Sequence, residues 1–171
     1  MPTVFWKRSS CFPLLVALFV AVGPIAPIDR ARAQAASPFA GLSGPWAGDG
    51  SLRLANGAVE RLRCQATYVV GGGGDTLDQT LRCASQQDSF EFRIELENNG
   101  GAILGNWSEL TRKVQGGVSG RDENGVIQAV VRGQAFTADV TVATRGPRQS
   151  VEIRAQGGGF STASILLRRG R

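Results

Sequence analysis

Histidine is absent from this chain of 171 residues, and tyrosine and methionine occur once each. Without an imidazole, Ser-His-Asp and Cys-His catalytic arrangements are excluded, together with the usual nitrogen ligand of zinc or haem. The one lysine beyond residue 33, Lys113, lies in a turn-like polar stretch, where a solvated surface charge is expected rather than the base of a Ser–Lys dyad. We therefore expect no catalytic residue, no metal site and no cofactor.

Paired carboxylates are the remaining route to hydrolysis, because a glycosidase needs only two of them. The best pair, Glu91 and Glu95, shares the polar side of an alternating stretch, with Arg93 between them. This pattern is typical of the solvated face of a strand. The sequence therefore predicts a protein that is not an enzyme.

The N-terminal segment has the three parts of a secretory signal peptide. Two basic residues precede an uncharged apolar run over residues 12–22, and Ala31 and Ala33 place small residues before a cleavage site at Gln34. A membrane-spanning helix needs about 20 apolar residues, and this run is shorter and is followed by prolines. We predict that residues 1–33 are removed during export and leave no stable membrane anchor.

Export divides the chain and changes its charge. Residues 34–43 are expected to form a lead-in segment, and residues 44–171 a single β-barrel domain in the periplasm. Removal of residues 1–33 takes away four basic side chains and one acidic one, so the net charge falls from +5 to +2. The remaining arginines are scattered, so no nucleic-acid partner is predicted.

Two cysteines remain after removal of the segment that carries Cys11. An even number of cysteines in an oxidising compartment predicts a disulfide between Cys64 and Cys83, since the chain has neither histidine nor a Cys-x-x-Cys motif to support a metal site. If these two residues face each other in a hairpin, Tyr68 lies opposite Gln79 and a glycine-rich stretch forms the loop.

Glycine is abundant, with 23 residues in the chain, and it separates short runs in which apolar and polar side chains alternate. No run longer than about six residues has helical periodicity, which excludes a helical bundle. The sequence predicts an all-β, antiparallel up-and-down meander of eight to ten strands, closed into a barrel or a strongly curved half-barrel. Strands are expected near 45–54, 60–70, 77–84, 89–97, around 103–107, and near 115–121, 126–133, 136–144, 150–156 and 160–168.

The first hairpin and the fourth strand give more specific expectations. The Asn56-Gly57 turn predicts a hairpin in which Leu52 faces Leu62, and this register places Trp46 opposite Tyr68. The fourth strand is expected to turn one face to the core and the other to solvent, and its core residues are Phe90, Phe92, Ile94 and Leu96.

An outer-membrane barrel is the alternative architecture, because its strands also alternate. Such barrels carry girdles of aromatic residues at both membrane interfaces. The aromatic residues of this chain do not bracket its strands at both ends. The distribution therefore favours a soluble barrel with an apolar interior.

Two tripeptides, Gly44-Pro45-Trp46 and Gly105-Asn106-Trp107, share Gly-x-Trp spacing. The first resembles the opening signature of the calycin superfamily, the lipocalins and avidins. That resemblance implies a calycin-like barrel with a tryptophan packed across one closed end. Trp46, Tyr68 and Trp107 are the candidate ligand-binding residues, with a purely structural core role as the alternative.

The Gly-x-Trp start and the paired cysteines also resemble small periplasmic metalloprotease inhibitors of the Inh type, from which this chain departs by its additional strands after Trp107. The chain beyond residue 33 is similar to uncharacterised exported proteins of Gram-negative bacteria. We expect a non-catalytic periplasmic protein that binds a small apolar or amphipathic ligand in the barrel mouth. The alternative is a protein-binding module, such as a periplasmic protease inhibitor or an envelope-assembly partner.

Overall fold

The computed structural model describes residues 37–170, so the predicted signal peptide and its cleavage site lie outside the described residues. Within residues 37–170, ten strands follow one another. They are β1 (Gly44–Leu54), β2 (Val59–Gly71), β3 (Thr76–Ala84), β4 (Ser89–Asn99), β5 (Ala102–Glu109), β6 (Val114–Glu123), β7 (Val126–Gly133), β8 (Phe136–Arg145), β9 (Arg148–Gly157) and β10 (Phe160–Arg169).

Every strand pairs antiparallel with the next one in the chain, and β1 also pairs with β10, so the sheet is closed. This confirms the predicted all-β meander and selects the barrel over the curved half-barrel. Closure leaves no strand edge with unpaired backbone groups. Within residues 37–170, no helix is long and apolar enough to cross a membrane.

The two ends of the barrel differ. At the lead-in end, where β1 begins and β2 ends, residues 37–43 pack against the strands: the side chain of Phe39 is fully buried, and its backbone N–H donates to the carbonyl of Gly74 at 3.3 Å. Gly74 has φ +110°, and a Cβ at this position would lie 2.7 Å from the Cβ of Ser37. Glycine is therefore required where the lead-in crosses the β2–β3 loop.

The predicted β2–β3 register is confirmed. Cys64 pairs with Cys83 and Tyr68 with Gln79, and the two cysteines form the predicted disulfide, with Cα atoms 4.1 Å apart. Cysteine spacing and strand alternation therefore identified the correct partner for each residue in this hairpin.

The predicted β1–β2 register is wrong by two residues. Leu52 pairs with Glu60 rather than Leu62, and Trp46 pairs with Ala66 rather than Tyr68. The turn is centred on Asn56, whose side-chain oxygen accepts a hydrogen bond from the N–H of Ala58 at 3.0 Å. This local hydrogen bond closes the turn one residue earlier than the prediction assumed.

The faces of β4 are oriented as predicted, but its inner face is not fully buried. Phe90, Phe92, Ile94 and Leu96 are half-buried, whereas the main core cluster is formed by residues of β1, β2, β3, β5 and β10 and by the lead-in. A barrel of ten strands is wider than its side chains can fill on every side. The apolar face of β4 therefore borders open space.

Candidate functional site

Half-buried side chains on the inner faces of β7, β8 and β9 indicate that the interior of the barrel is open beside these strands, and we call this space the lumen. Inward-facing side chains in the middle of these strands are only half-buried: Val131, Val140 and Ile153. In a closed sheet, solvent can reach such side chains only from inside the barrel. Because the surrounding wall is apolar, this space suits an apolar group.

Small residues on the inner face explain why the lumen is open. From β5 to β9 they are Gly105, Gly116, Gly120, Ala129, Gly133, Ala138 and Ala155, and the register places several of them side by side. Across the barrel, β1 and β2 instead contribute large buried side chains such as Trp46, Leu62 and Tyr68. The empty space consequently lies toward the β5–β9 wall.

A polar network closes the interior toward the lead-in end. The Tyr68 hydroxyl donates to Gln149 Oε1 at 2.5 Å and accepts from Gln79 Nε2 at 3.1 Å. Gln149 Nε2 in turn donates to the Thr144 hydroxyl at 3.0 Å. Burial raises the pKa of Tyr68 above its usual value although the bond to Gln149 opposes the shift, so the hydroxyl stays protonated and joins β2 to β9 across the barrel.

Trp46 lies beneath this network. Its ring packs edge to face on Tyr68, with ring centroids 5.9 Å apart, and its Nε1–H donates to the Leu42 carbonyl at 2.8 Å. Although Trp46 is not opposite Tyr68 in the sheet, the diagonal neighbours still bring the two rings into contact. The pair forms the floor of the lumen.

An aromatic arc lines the opposite end of the barrel, which we call the aromatic end. Its ring centroids are separated by 6.4 Å, 6.4 Å, 5.4 Å and 6.2 Å in succession. These distances are typical of interacting aromatic pairs. The arc consists of Phe90, Phe92, Trp107, Phe136 and Phe160.

Trp107 contacts Phe92 on one side and Phe136 on the other. Its indole crosses β6 and β7 at positions where both strands have glycine. Trp107 is paired with Gly116, which is paired with Gly133. A Cβ on Gly133 would lie 3.0 Å from the indole, and one on Gly116 would lie 2.8 Å from Nε1. With both positions free of side chains, Nε1–H donates to the Arg132 carbonyl at 3.1 Å.

The loop between β5 and β6 is held at the rim of the aromatic end by Glu109. This carboxylate is 3% exposed and accepts backbone hydrogen bonds from Glu91 at 3.2 Å, Thr111 at 3.1 Å and Arg112 at 2.5 Å. Arg112 pairs with Asp88 and lies 4.7 Å from the centre of the Phe90 ring. The rim is therefore anchored beside the first ring of the arc.

Burial disfavours the charged form of Glu109, but the hydrogen bonds from Arg112, Glu91 and Thr111 outweigh it and hold the pKa of the carboxyl below its usual value. A carboxylate with a lowered folded-state pKa stabilises the fold above its unfolded pKa, and that contribution is lost as the pH falls through the folded value. Glu109 therefore makes the stability of the rim sensitive to acid.

Replacement of Glu109 by glutamine is expected to lower the free energy of unfolding by about 1–2 kcal/mol at neutral pH, because the backbone donors lose a charged acceptor. The difference from the wild type should shrink as the pH falls below about 4.3, the ordinary glutamate pKa. Urea unfolding over a pH series measures both effects. A difference that stays constant with pH would contradict the assigned role.

The candidate residues from the sequence are thus separated into two groups. Trp46 and Tyr68 lie at the floor, whereas Trp107 lies in the aromatic arc at the other end. Sequence analysis missed Phe136, which contacts Trp107, and Phe160, which contacts Phe136. A signal was present, because Phe90, Phe136 and Phe160 lie at or next to the start of even-numbered strands, which all begin at the same end of a meander.

A groove of about 980 Å³ lies on the outer surface over β10, β1, β2, β3 and β4. Its lining mixes apolar and charged side chains, including Ala47, Asp49, Arg63, Leu166 and Arg168. The described residues contain no group of three or more acidic or cysteine side chains arranged to hold a metal ion. The groove lies outside the barrel wall and is therefore separate from the lumen.

No protein-family model matches the chain, and no curated protein is significantly similar to it in sequence. Among solved structures, the chain is similar to Rv2717c from M. tuberculosis, with a TM-score of 0.65 and 15% identity over 81% of this chain and 99% of that one. It is also similar to the S-type phycobiliprotein lyase CPES from Guillardia theta, with a TM-score of 0.53 and 9% identity over 75% of this chain and 88% of that one. These likenesses concern the fold alone, and the closed antiparallel barrel is consistent with a calycin-like barrel.

Proposed function

We propose that this protein is a non-catalytic periplasmic binding protein that holds the apolar part of a small ligand in its lumen. The observation that carries the proposal is the partial exposure of Val131, Val140 and Ile153, three inward side chains in the middle of a closed barrel. Apolar walls that are only half-buried in the free protein gain stability when an apolar ligand covers them.

The aromatic arc supports the same proposal. Four of its five rings, those of Phe90, Phe92, Phe136 and Phe160, remain half-buried at the aromatic end. Aromatic side chains contribute large contact areas with little conformational freedom to lose on binding. We propose that the ligand contacts these four rings around Trp107, which is 5% exposed and supports them. Trp46 and Tyr68 then form the floor that limits how deeply a ligand enters.

The proposal of binding without catalysis rests on the residues available in the lumen. One protein of similar fold is named a lyase, but this chain has no histidine anywhere in its 171 residues. The polar groups at the floor are the neutral hydroxyl of Tyr68 and the amides of Gln79 and Gln149, which are hydrogen-bonded to one another. They suit a structural role rather than proton transfer.

The disulfide supports the proposed location outside the cytoplasm. Disulfides persist in oxidising compartments such as the periplasm and are rare among cytosolic proteins, and Cys64 and Cys83 are bonded here. Recovery of the protein in the periplasmic fraction with a shortened N-terminus is the corresponding test.

Filling the lumen tests the proposed function directly. Val140→Trp places an indole into the space from the inner face of β8, whereas Thr141→Trp places the same side chain on the exposed outer face one residue away. The neutral fluorescent probe N-phenyl-1-naphthylamine should bind the wild type and Thr141→Trp equally, and Val140→Trp at least about tenfold more weakly, a difference of about 1.4 kcal/mol.

Fluorescence titration of the three proteins, after circular dichroism has shown that each is folded, provides the measurement. Absence of probe binding to the wild type would contradict a ligand-binding lumen. Equal binding to the wild type and Val140→Trp would also contradict it.

A protein-binding module is the second candidate function, and the outer groove is the observation that favours it. Leu166 lines this groove with 63% of its surface exposed, and exposed apolar groups rimmed by charge occur at protein interfaces. A photo-crosslinking residue at position 166 should then capture a defined periplasmic protein that the same residue at position 59 does not. Val59 is 55% exposed and lies outside the groove lining, which makes it the matched control.

A further inference from the structure

Glu60 is an acidic residue on the inner face of β2. It has the same orientation as Leu62, Cys64 and Ala66, and it is half-buried whereas its neighbours Val59 and Arg61 are exposed. Since β2 begins at the aromatic end, Glu60 faces the mouth of the lumen.

The surroundings of Glu60 are apolar. Its register partner is Leu52, which is 7% exposed, and its neighbour on the same face is Leu62, which is 4% exposed. Two residues beyond Leu52, Leu54 pairs with Phe160 of the aromatic arc. The carboxylate therefore lies on the same rim as the arc, in the part of the wall between Phe160 and Phe90.

One oxygen of this carboxylate has no partner. Glu60 Oε2 is buried and accepts no hydrogen bond from any described residue. A buried carboxylate oxygen without a donor destabilises the free protein. The only other such atom within residues 37–170, Asp122 Oδ1, lies near the end of β6 at the lead-in end, away from the arc.

Two other charged side chains next to the arc have partners of their own. Arg112 pairs with Asp88 and covers the Phe90 ring, while Glu109 is saturated by backbone donors. Among the described residues, no arginine or lysine forms an ion pair with Glu60. Glu60 is thus a half-buried carboxylate at the mouth without a cationic partner among residues 37–170.

We propose that Glu60 selects the ligand: an amphipathic molecule with its apolar part against the aromatic arc and a cationic ammonium group on the Glu60 carboxylate. This inference rests on the proposed binding function of the lumen and names the chemical class of its ligand. An ammonium group donates to the half-buried carboxylate, and a hydrogen bond with both partners charged is stronger than a neutral one.

An organic ammonium fits this position better than a metal ion. Calcium takes six to eight oxygen ligands and magnesium requires octahedral geometry, whereas the neighbours of Glu60 in the sheet are leucines. An amphiphile needs one carboxylate beside an apolar wall, and this combination is what the mouth provides.

Three ten-carbon compounds that differ only in their head group test the inference: decylammonium, decanol and decanoate, below their aggregation concentrations at pH 7. Each competes with N-phenyl-1-naphthylamine for the full-length mature protein. Decylammonium is expected to bind the wild type at least about tenfold more tightly than decanol, and decanoate more weakly than decanol. Glu60→Gln should remove the preference for decylammonium over decanol.

Two further variants separate the role of Glu60 from general effects of charge. Glu60→Asp keeps the negative group and should retain a preference for decylammonium, while Glu97→Gln removes an exposed carboxylate from the outer face of β4 and should change nothing. If Glu60→Gln did not fold, the comparison of the three compounds on the wild type and Glu60→Asp would still decide the question.

The outcomes distinguish this inference from the function on which it rests. Binding of decanol without tighter binding of decylammonium would overturn the role of Glu60 and leave the lumen as a binding site. A preference that persists in Glu60→Gln would overturn the assignment to this residue. No binding of any of the compounds would overturn both.

Discussion

Replacing Trp46 with alanine is expected to lower the free energy of unfolding by about 3–5 kcal/mol, the range for deletion of a buried large aromatic side chain. Trp46 is 1% exposed and is the largest of the fully buried side chains. The variant also loses the hydrogen bond to Leu42 and the edge-to-face contact with Tyr68. Because the Leu42 bond connects the lead-in to the barrel, we expect the lead-in to become accessible to proteases at the same time.

Two further variants serve as controls for Trp46→Ala. Trp46→Phe keeps an aromatic ring and loses the indole N–H, so it should destabilise the protein less than alanine does. Val69→Ala changes a side chain that is 61% exposed and should alter the free energy of unfolding by no more than about 0.5 kcal/mol. Guanidinium unfolding followed by circular dichroism measures all three. Equal, small effects from both Trp46 variants would contradict a core role.

Trp46→Phe also tests how the floor relates to ligand binding. If the Trp46–Tyr68 pair only closes the lumen, the variant should lose stability while it retains its affinity for N-phenyl-1-naphthylamine. If Trp46 contacts the ligand, binding should weaken while most of the stability remains. We expect the first result, because the hydroxyl network of Tyr68 with Gln79 and Gln149 lies between β2 and β9 at this level.

The strands and their order could be predicted because alternation and glycine-rich turns are local signals. Register was predictable only where a second constraint acted. In the β2–β3 hairpin, Cys64 and Cys83 supplied it and the pairing was correct. In the β1–β2 hairpin, Asn56-Gly57 indicated a turn but did not determine its centre, and the prediction was wrong by two residues.

The site was less predictable than the fold because burial inside a barrel depends on the width of the closed sheet. Alternation correctly assigned Phe90 and Phe92 to the inner face, but it could not show that they border open space. The Trp107 indole lies over Gly116 and Gly133. This position could be predicted only from the registers of β5, β6 and β7 together. Glycine within a strand usually indicates a bulge or the close approach of another backbone. Here Gly116 and Gly133 also leave room for the Trp107 ring.

Under the proposed function, the floor contributes mainly to stability and the arc mainly to binding. Buried side chains of the lead-in, β1 and β2 form one packed end, while small residues on β5–β9 leave space in the remaining interior. Variants at the packed end should therefore change the free energy of unfolding, and variants in the lumen should change affinity. The disulfide joins β2 to β3 within the buried core cluster, on the side of the aromatic end, since Cys83 pairs with Phe90.

Removing the disulfide with the double substitution Cys64→Ala and Cys83→Ala is expected to lower the free energy of unfolding by about 3 kcal/mol, since the bond spans 19 positions of the sequence. The effect acts mainly on the unfolded chain, which the bond keeps from exploring extended conformations. The folded barrel should persist, because the β2–β3 ladder and the contacts of Tyr68 do not depend on the sulfur atoms. Wild-type protein unfolded with a reducing agent provides the matched control and should show the same loss. A double variant within about 0.5 kcal/mol of the oxidised wild type would show that the bond does not stabilise the barrel.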